Sequence, residues 1–345
     1  MMRLPFFRWF APRDLAEAAR ILAGEGPQAL PVAGGTDLLP NMKRRQQVPL
    51  ALVSLQAIDR LREARNGAGL TLGAATTLSS VVRNPQVRAG YPGLWQAAAQ
   101  VATPHLRAMG TLGGNLCLDT RCTYYDQTYE WRKAISFCMK KDGETCWVAP
   151  ASRRCLAVSS TDTAPALLAL GARVLLVSAE GERELALDDL YRNDGIDYST
   201  RRSDEILAEV RLPAAGATRS TYWKLRRRGS FDFPVLSVAA ALEVDASGTV
   251  ERARIVLGAV ASRPLVAERA ATGLVGQPLT DAAIAAAARA AAELAKPMDN
   301  TDFTLHWRKR VAAEFVSYAL RELRGDDMRA MRMRIARHSL DSVAG

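Results

Sequence analysis

Five cysteines, two glycine pairs and one aspartate are the residues of this chain whose type and spacing could do chemistry. The cysteines, Cys117, Cys122, Cys138, Cys146 and Cys155, all fall in one stretch. Just before it stands Thr111-Leu112-Gly113-Gly114-Asn115, and just after it Ser159-Ser160-Thr161-Asp162-Thr163-Ala164-Pro165. A second glycine pair lies far upstream in Ala33-Gly34-Gly35-Thr36-Asp37-Leu38. Clustered thiols suit a soft metal. Adjacent glycines let a backbone turn tightly and offer successive amides, with no Cβ in the way, to phosphate oxygens.

The cysteine spacing is C-x4-C-x15-C-x7-C-x8-C. Zinc ribbons use two paired hooks, and this pattern offers at most one. The C-x2-C of thiol–disulfide chemistry is absent, as is the compact ferredoxin signature. Iron–sulfur, zinc and unrelated thiols all stay open on spacing alone. Cys117 follows Asn115 by two positions and belongs with the glycine turn as a small buried side chain. That leaves Cys122, Cys138, Cys146 and Cys155 as the metal-ligand candidates. Arg121, Arg132, Lys133, Lys140, Lys141, Arg153 and Arg154 surround them, readable as a solvated rim or as a dock for an acidic electron carrier.

The first glycine pair follows a strand, yet it is neither a Walker loop nor the dinucleotide fingerprint of parallel α/β folds. It is also compatible with a plain turn. If both pairs face one ligand, that ligand spans two loops and contains a pyrophosphate. Asp162 would accept from a ribityl or ribose hydroxyl. It also precedes a helix start at Thr163-Ala164-Pro165, where an acidic residue is favoured by the helix dipole.

These loops need elements to hold them. Pro5 to Leu55 reads as a βαβ unit: a helix on Leu15, Ala18, Ala19 and Leu22, then strands at Ala29–Ala33 and Leu50–Leu55. Strand Leu70–Ala74, a hydroxyl-capped helix from Thr77 and a helix over Tyr91–Val101 follow. Further on come strands at Arg173–Val177 and Ile206–Leu212, with Ala214-Ala215-Gly216-Ala217 as candidate linker. Strands at Ser220–Leu225, Val235–Val244 and Val250–Ala259 precede helices at Ala282–Ala295 and Thr304–Leu323. The arginine-rich tail from Met328 reads as a frayed basic helix or, alternatively, as a segment that docks on a partner.

The composition limits the possibilities. In 345 residues, 48% are hydrophobic, an ordinary globular value that argues against disorder. No apolar run approaches the roughly 18 residues of a membrane span, and Met1-Met2-Arg3-Leu4-Pro5 does not open an export signal, so the expectation is a cytoplasmic protein with thiols kept reduced. Lys and Arg exceed Asp and Glu, 46 to 36, for a net charge of +10. Such a balance is compatible with nucleic acid or acidic partners. A zinc-stabilised nucleic-acid binder would leave both glycine pairs unexplained.

Three motifs in order carry a resemblance. Ala33-Gly34-Gly35-Thr36-Asp37-Leu38, the run from Thr103-Pro104-His105 to Gly113-Gly114-Asn115, and Thr161-Asp162-Thr163-Ala164-Pro165 resemble the FAD-binding medium subunits of the xanthine oxidase and carbon monoxide dehydrogenase family. Tyr222-Trp223-Lys224-Leu225-Arg226-Arg227-Arg228 resembles the strand that opens that family's C-terminal domain. The resemblance implies an α+β protein: a two-part FAD-binding domain of the vanillyl-alcohol-oxidase/PCMH type at 1–55 and 56–213, a C-terminal α+β domain with a three-stranded sheet and helices at 218–325, and a basic tail at 326–345. It implies FAD held by Ala33, Gly34, Gly35, Thr36, Asp37, Leu38, His105, Thr111, Gly113, Gly114, Asn115, Asp162 and Lys224. It implies no acid, base or nucleophile in this chain.

Most members join the second glycine turn to the aspartate by a shorter loop without four cysteines. The insertion at about 116–158 resembles the 4-hydroxybenzoyl-CoA reductase branch, which implies a 4Fe-4S cluster on Cys122, Cys138, Cys146 and Cys155. The same branch implies a large molybdopterin subunit and a small 2Fe-2S subunit, a heterotrimer doubled to a hexamer. Reduced ferredoxin would be the donor for removing the phenolic hydroxyl of 4-hydroxybenzoyl-CoA. Nucleic acid and membrane are not expected partners. A flavin subunit of a xanthine, aldehyde or CO dehydrogenase type is the alternative.

Overall fold

A computed structural model describes residues 3–229 and 231–337. The first unit is a parallel sheet of order β1-β3-β2. Strand β1 (Arg8–Phe10) leads to helix α1 (Leu15–Glu25), capped by the Asp14 carboxylate on Glu17 N and burying Leu15, Ala18, Ala19 and Leu22. Strand β2 (Ala29–Val32) then runs into the first glycine pair, α2 (Leu38–Lys43) and β3 (Ala51–Ser54). The predicted βαβ unit is present, with a short β1 that its three residues give no periodicity to detect.

The second unit is a five-stranded sheet of order β4-β5-β8-β6-β7, antiparallel throughout. Strands β4 (Ala64–Asn66) and β5 (Gly69–Gly73) precede a run of short helices. These are α3 (Leu78–Arg83), α4 (Pro85–Gly90), α5 (Pro92–Ala99), α6 (Pro104–Met109) and α7 (Leu112–Leu116). Thr77, Asn84, Thr103 and Thr111 each cap one through a side-chain oxygen, which explains how helices this short stay formed. The cysteine-rich segment adds α8 (Tyr129–Ala134), and the chain returns through α9 (Thr163–Ala169) to β6 (Arg173–Ser178), β7 (Gly181–Ala186) and β8 (Ile206–Pro213). Leu70, Leu72, Leu94, Leu112, Leu167, Val174 and Val210 meet in one core between sheet and helices. The segment is pinned at its root: Arg121 and Val158 exchange both backbone hydrogen bonds, at 2.8 and 2.7 Å.

The third unit has a four-stranded antiparallel sheet, β12-β11-β10-β9, where three strands were expected. Strands β9 (Arg219–Leu225), β10 (Leu236–Val244) and β11 (Val250–Gly258) match the apolar runs; β12 (Leu265–Val266) is two residues long and below what alternation can reveal. Helices α10 (Glu268–Thr272), α11 (Asp281–Leu294) and α12 (Leu305–Arg324) cover one face. Trp223, Ile284, Val316 and Leu320 join that core. The tail is not a frayed end throughout. Helix α13 (Arg329–Arg337) docks through Arg332, which stacks on the Trp223 ring at 4.1 Å and pairs with Glu322. The rest of the tail, 338–345, lies outside the described residues. Among the described residues no helix is long and apolar enough to cross a membrane.

Candidate functional site: a two-loop cleft beside a buried thiol cluster

All three units contribute to one cleft of about 670 Å³, lined by both glycine loops, by Ser160 and Asp162, and by Phe231, Asp232 and Phe233. The two loops meet closely. A Cβ on Gly34 would stand 1.9 Å from the carbonyl oxygen of Met109, and Gly35 turns at a φ of +67°, where side chains are disfavoured. Among the described residues, no backbone N–H from Gly34 to Leu38 donates to a protein acceptor, and all five residues line the cleft. Unpaired amides in residues that line a cavity are donors that an anionic ligand can use.

The second loop is wired differently. Leu112 N donates to Thr76 O, Gly113 N to Ala74 O, and Asn115 N to Thr111 O. Gly114 N donates to Thr111 Oγ1 at 3.1 Å. The Asn115 side-chain oxygen accepts from Thr161 Oγ1, Thr163 N and Thr163 Oγ1 within 3.0 Å. Thr111, Gly113, Gly114 and Asn115 therefore form a finished wall of the cleft.

Asp162 also faces the cleft, but both its oxygens are engaged. Tyr222 Oη donates to one at 2.7 Å and Lys224 Nζ stands 3.0 Å away, while no side-chain bond caps α9. Burial raises the Asp162 pKa, partly offset by the Lys224 ammonium and Tyr222. Lys224, expected near the ligand, is instead fully buried behind the wall and also donates to Gln100 O. Its place in β9 alternates it inward toward α9. His105, also expected at the site, is exposed on α6 and outside the cleft lining.

Sequence reasoning missed Arg121 and the aromatic loop. Arg121 is buried, pairs with Asp37 and Asp126, donates to Asn41 at 3.1 Å, and lies 4.9 Å over the Phe233 ring. Standing just before Cys122, it ties the first glycine loop to the start of the cysteine segment. Only the Phe-Asp-Phe run after the Tyr222–Arg228 strand could have hinted at the aromatic edge.

Cys122, Cys138, Cys146 and Cys155 are all buried and line one small cavity with Tyr124, Tyr125, Met139, Lys140, Trp147, Val148 and Ala157. Cys117 is half-buried and lines the cleft instead. Cys122 lines both spaces. Burial pushes the Cys122 thiol up to about 12 and the Cys155 thiol up to about 11. At neutral pH only a metal's charge would ionise them. Among the described residues no three His, Cys, Asp or Glu side chains are arranged to hold a single ion. Four cysteines around one cavity are a donor set that suits either a tetrahedral zinc or an iron–sulfur cluster. The free space is about 10 Å³, so binding a cluster requires the thiols to part. The expected basic rim is only partial. Arg132 and Arg121 are buried and Lys140 is enclosed, each tied to neighbouring main chain or carboxylates, while Lys133, Arg153 and Arg154 are exposed.

A two-loop cleft ahead of a sheet-and-helix unit defines a flavin-binding class of protein, and the comparisons place the chain within it. Residues 5–215 match the FAD binding domain in molybdopterin dehydrogenase, and 220–323 match the CO dehydrogenase flavoprotein C-terminal domain. The chain belongs to this family of FAD-binding subunits of molybdenum oxidoreductases. It is 33% identical over 260 residues to the FAD-binding subunit of the aldehyde oxidoreductase of Escherichia coli, covering 72% of this chain and 80% of that one. It is 28% identical to the carbon monoxide dehydrogenase medium chain of Hydrogenophaga pseudoflava, covering 92% and 96%. The solved structure of that carbon monoxide dehydrogenase lacking the Mo-pyranopterin moiety superposes with a TM-score of 0.77 over 92% of this chain and 97% of the other, at 28% identity.

Proposed function

We propose that the chain is the FAD and 4Fe-4S electron-transfer subunit of a 4-hydroxybenzoyl-CoA reductase, working in the cytoplasm with a large molybdopterin subunit and a small 2Fe-2S subunit, and served by reduced ferredoxin. The observation that carries this reading is the set of four buried cysteines around one cavity that shares the Cys122 wall with the cleft. Bound FAD exchanges electrons singly or in pairs and an iron–sulfur cluster exchanges them singly, so the two together join one-electron donors to two-electron chemistry.

The chain's own residues bind, orient and insulate. The amides of Gly34, Gly35, Thr36, Asp37 and Leu38 receive the pyrophosphate, while Thr111, Gly113, Gly114 and Asn115 close the opposite side. Asp162 and Lys224 hold α9 and β9 together behind it. Trp147, 39% exposed, lines the thiol cavity and reaches the surface, with Lys133, Arg153 and Arg154 also exposed on the same segment. These exposed groups are what the segment offers to an acidic carrier.

Iron and flavin quantitation with a visible spectrum tests the cofactor set, and benzoyl-CoA formation by the assembled complex with a low-potential donor tests the substrate. Serine at any one of Cys122, Cys138, Cys146 or Cys155 is expected to deplete iron while FAD stays, and Cys117→Ser to spare the iron. Unchanged iron in the first group would sink the assignment. A second reading, the flavin subunit of an oxidising molybdenum hydroxylase, is favoured by relatives described as aldehyde, nicotinate and carbon monoxide enzymes. Activity confined to such oxidations would select it.

A further inference from the structure

The partition between the thiol cavity and the cleft contains a buried ion pair. Lys140 lines the thiol cavity and Asp119 lines the cleft, and their charged atoms stand 2.8 Å apart with both side chains almost fully enclosed. Lys140 Nζ also donates to Thr120 Oγ1 at 2.8 Å and to Gly195 O at 2.6 Å. An ammonium has three donors, and all three are spent. Its charge cannot swing to solvent. The Tyr125 and Tyr198 rings flank it at 4.8 and 5.4 Å. The second oxygen of Asp119 accepts from Tyr125 Oη at 3.0 Å and Gln47 Nε2 at 3.3 Å, so the carboxylate is fixed as well. Gly195 closes the arrangement against the cysteines, since a Cβ there would lie 2.7 Å from Cys155 Sγ.

We propose that the Lys140–Asp119 pair is a positioning element that sets the reduction potentials of the two sites against each other. The proposal rests on the reading that the four cysteines hold an iron–sulfur cluster and the cleft holds FAD. An electron added to a cluster makes it more negative, and a fixed cation beside it favours that state, so Lys140 raises the potential on its side. A fixed carboxylate disfavours added negative charge, so Asp119 lowers the potential on the flavin side. The ammonium lines the thiol cavity and the carboxylate lines the cleft, so each outweighs its partner on its own side, with little screening by bulk solvent. Together they oppose a steep inward drop and keep exchange between the two sites reversible.

The test is a redox titration of the purified complex, with the cluster followed by paramagnetic resonance, the flavin by absorbance, and iron and FAD quantified in each sample. Lys140→Met is expected to lower the cluster potential by at least a tenfold change in the one-electron equilibrium, about 59 mV, while Lys140→Arg leaves it near the parent value. Asp119→Asn leaves Lys140 its other two acceptors without a counter-charge, and is expected to raise both potentials. Opposite signs from the two partners distinguish an electrostatic role from loss of structure, which would deplete iron without moving a potential. Unshifted potentials in Lys140→Met with full iron overturn the proposal. Should Lys140→Met lose its iron, a flat result in Asp119→Asn overturns it equally. Wild-type complex with flavin but no iron removes the cluster reading and this proposal together; full wild-type iron with unmoved variants removes this proposal alone.

Discussion

The two glycine pairs look alike in the sequence and do opposite work. In the first, five consecutive cleft-lining residues from Gly34 to Leu38 keep amides with no acceptor among the described residues. In the second, the amides from Leu112 to Asn115 are consumed by Thr76, Ala74 and Thr111. Glycine serves the first loop by freeing donors and the second by permitting contact, since a Cβ on Gly113 would sit 2.7 Å from that of Ala74. A glycine pair therefore predicts close backbone approach; only the hydrogen-bond ledger tells whether a ligand or the protein itself approaches.

Substitutions can break this contrast. The largest effect is expected from Lys224→Met, which leaves Asp162 buried without its cation behind the second loop. Removing one member of such a pair costs about 3–5 kcal/mol, read as a lowered melting temperature of flavin-free protein. Gly34→Val drives a side chain into Met109 O; FAD affinity is expected to fall at least about tenfold, or about 1.4 kcal/mol, measured by flavin titration of refolded protein. Thr111→Ala removes the cap of α7 and should cost about 1 kcal/mol of stability while the folded fraction binds FAD almost normally. Equal loss of flavin affinity in Thr111→Ala and Gly34→Val would erase the distinction between the loops.

Acid titration gives the mildest test. Burial alone would raise the Glu322 carboxyl, but Arg332, Thr221 and Trp223 outweigh it and hold its pKa below the ordinary range. A depressed folded value means that Glu322 stabilises the protein above the unfolded pKa of about 4.3, and that this stability is lost as pH falls through the folded value. Glu322→Gln should flatten that acid limb in a melting series.

Much of the frame was legible because apolar periodicity survives in long elements: α1, α11, α12 and β9 to β11 fall within a few residues of expectation. Strands β1, β4 and β12 were not, since two or three residues carry no period. The loop residues of the site were readable as types, yet their roles were not. Asp162 lines the cleft, and nothing local announces that Tyr222 and Lys224, some sixty positions away, bond to it as well. The full burial of Lys224 was not legible, because a lysine in a strand gives no sign of which face it takes when both are buried. Arg121 was read as rim because nothing local announces that Asp37 and Asn41 will meet it.

The paired hydrogen bonds between Arg121 and Val158 make residues 122–157 an excursion closed at its root. Its two ends already lie side by side, so a chain lacking it could close the gap with a tight turn and keep the surrounding strands and helices in register. The cost of carrying so long an excursion rises only slowly with its length, about 0.6 kcal/mol for each doubling. A scaffold of this kind could thus lengthen or shorten its cysteine-bearing excursion at one root without re-registering the strands on either side.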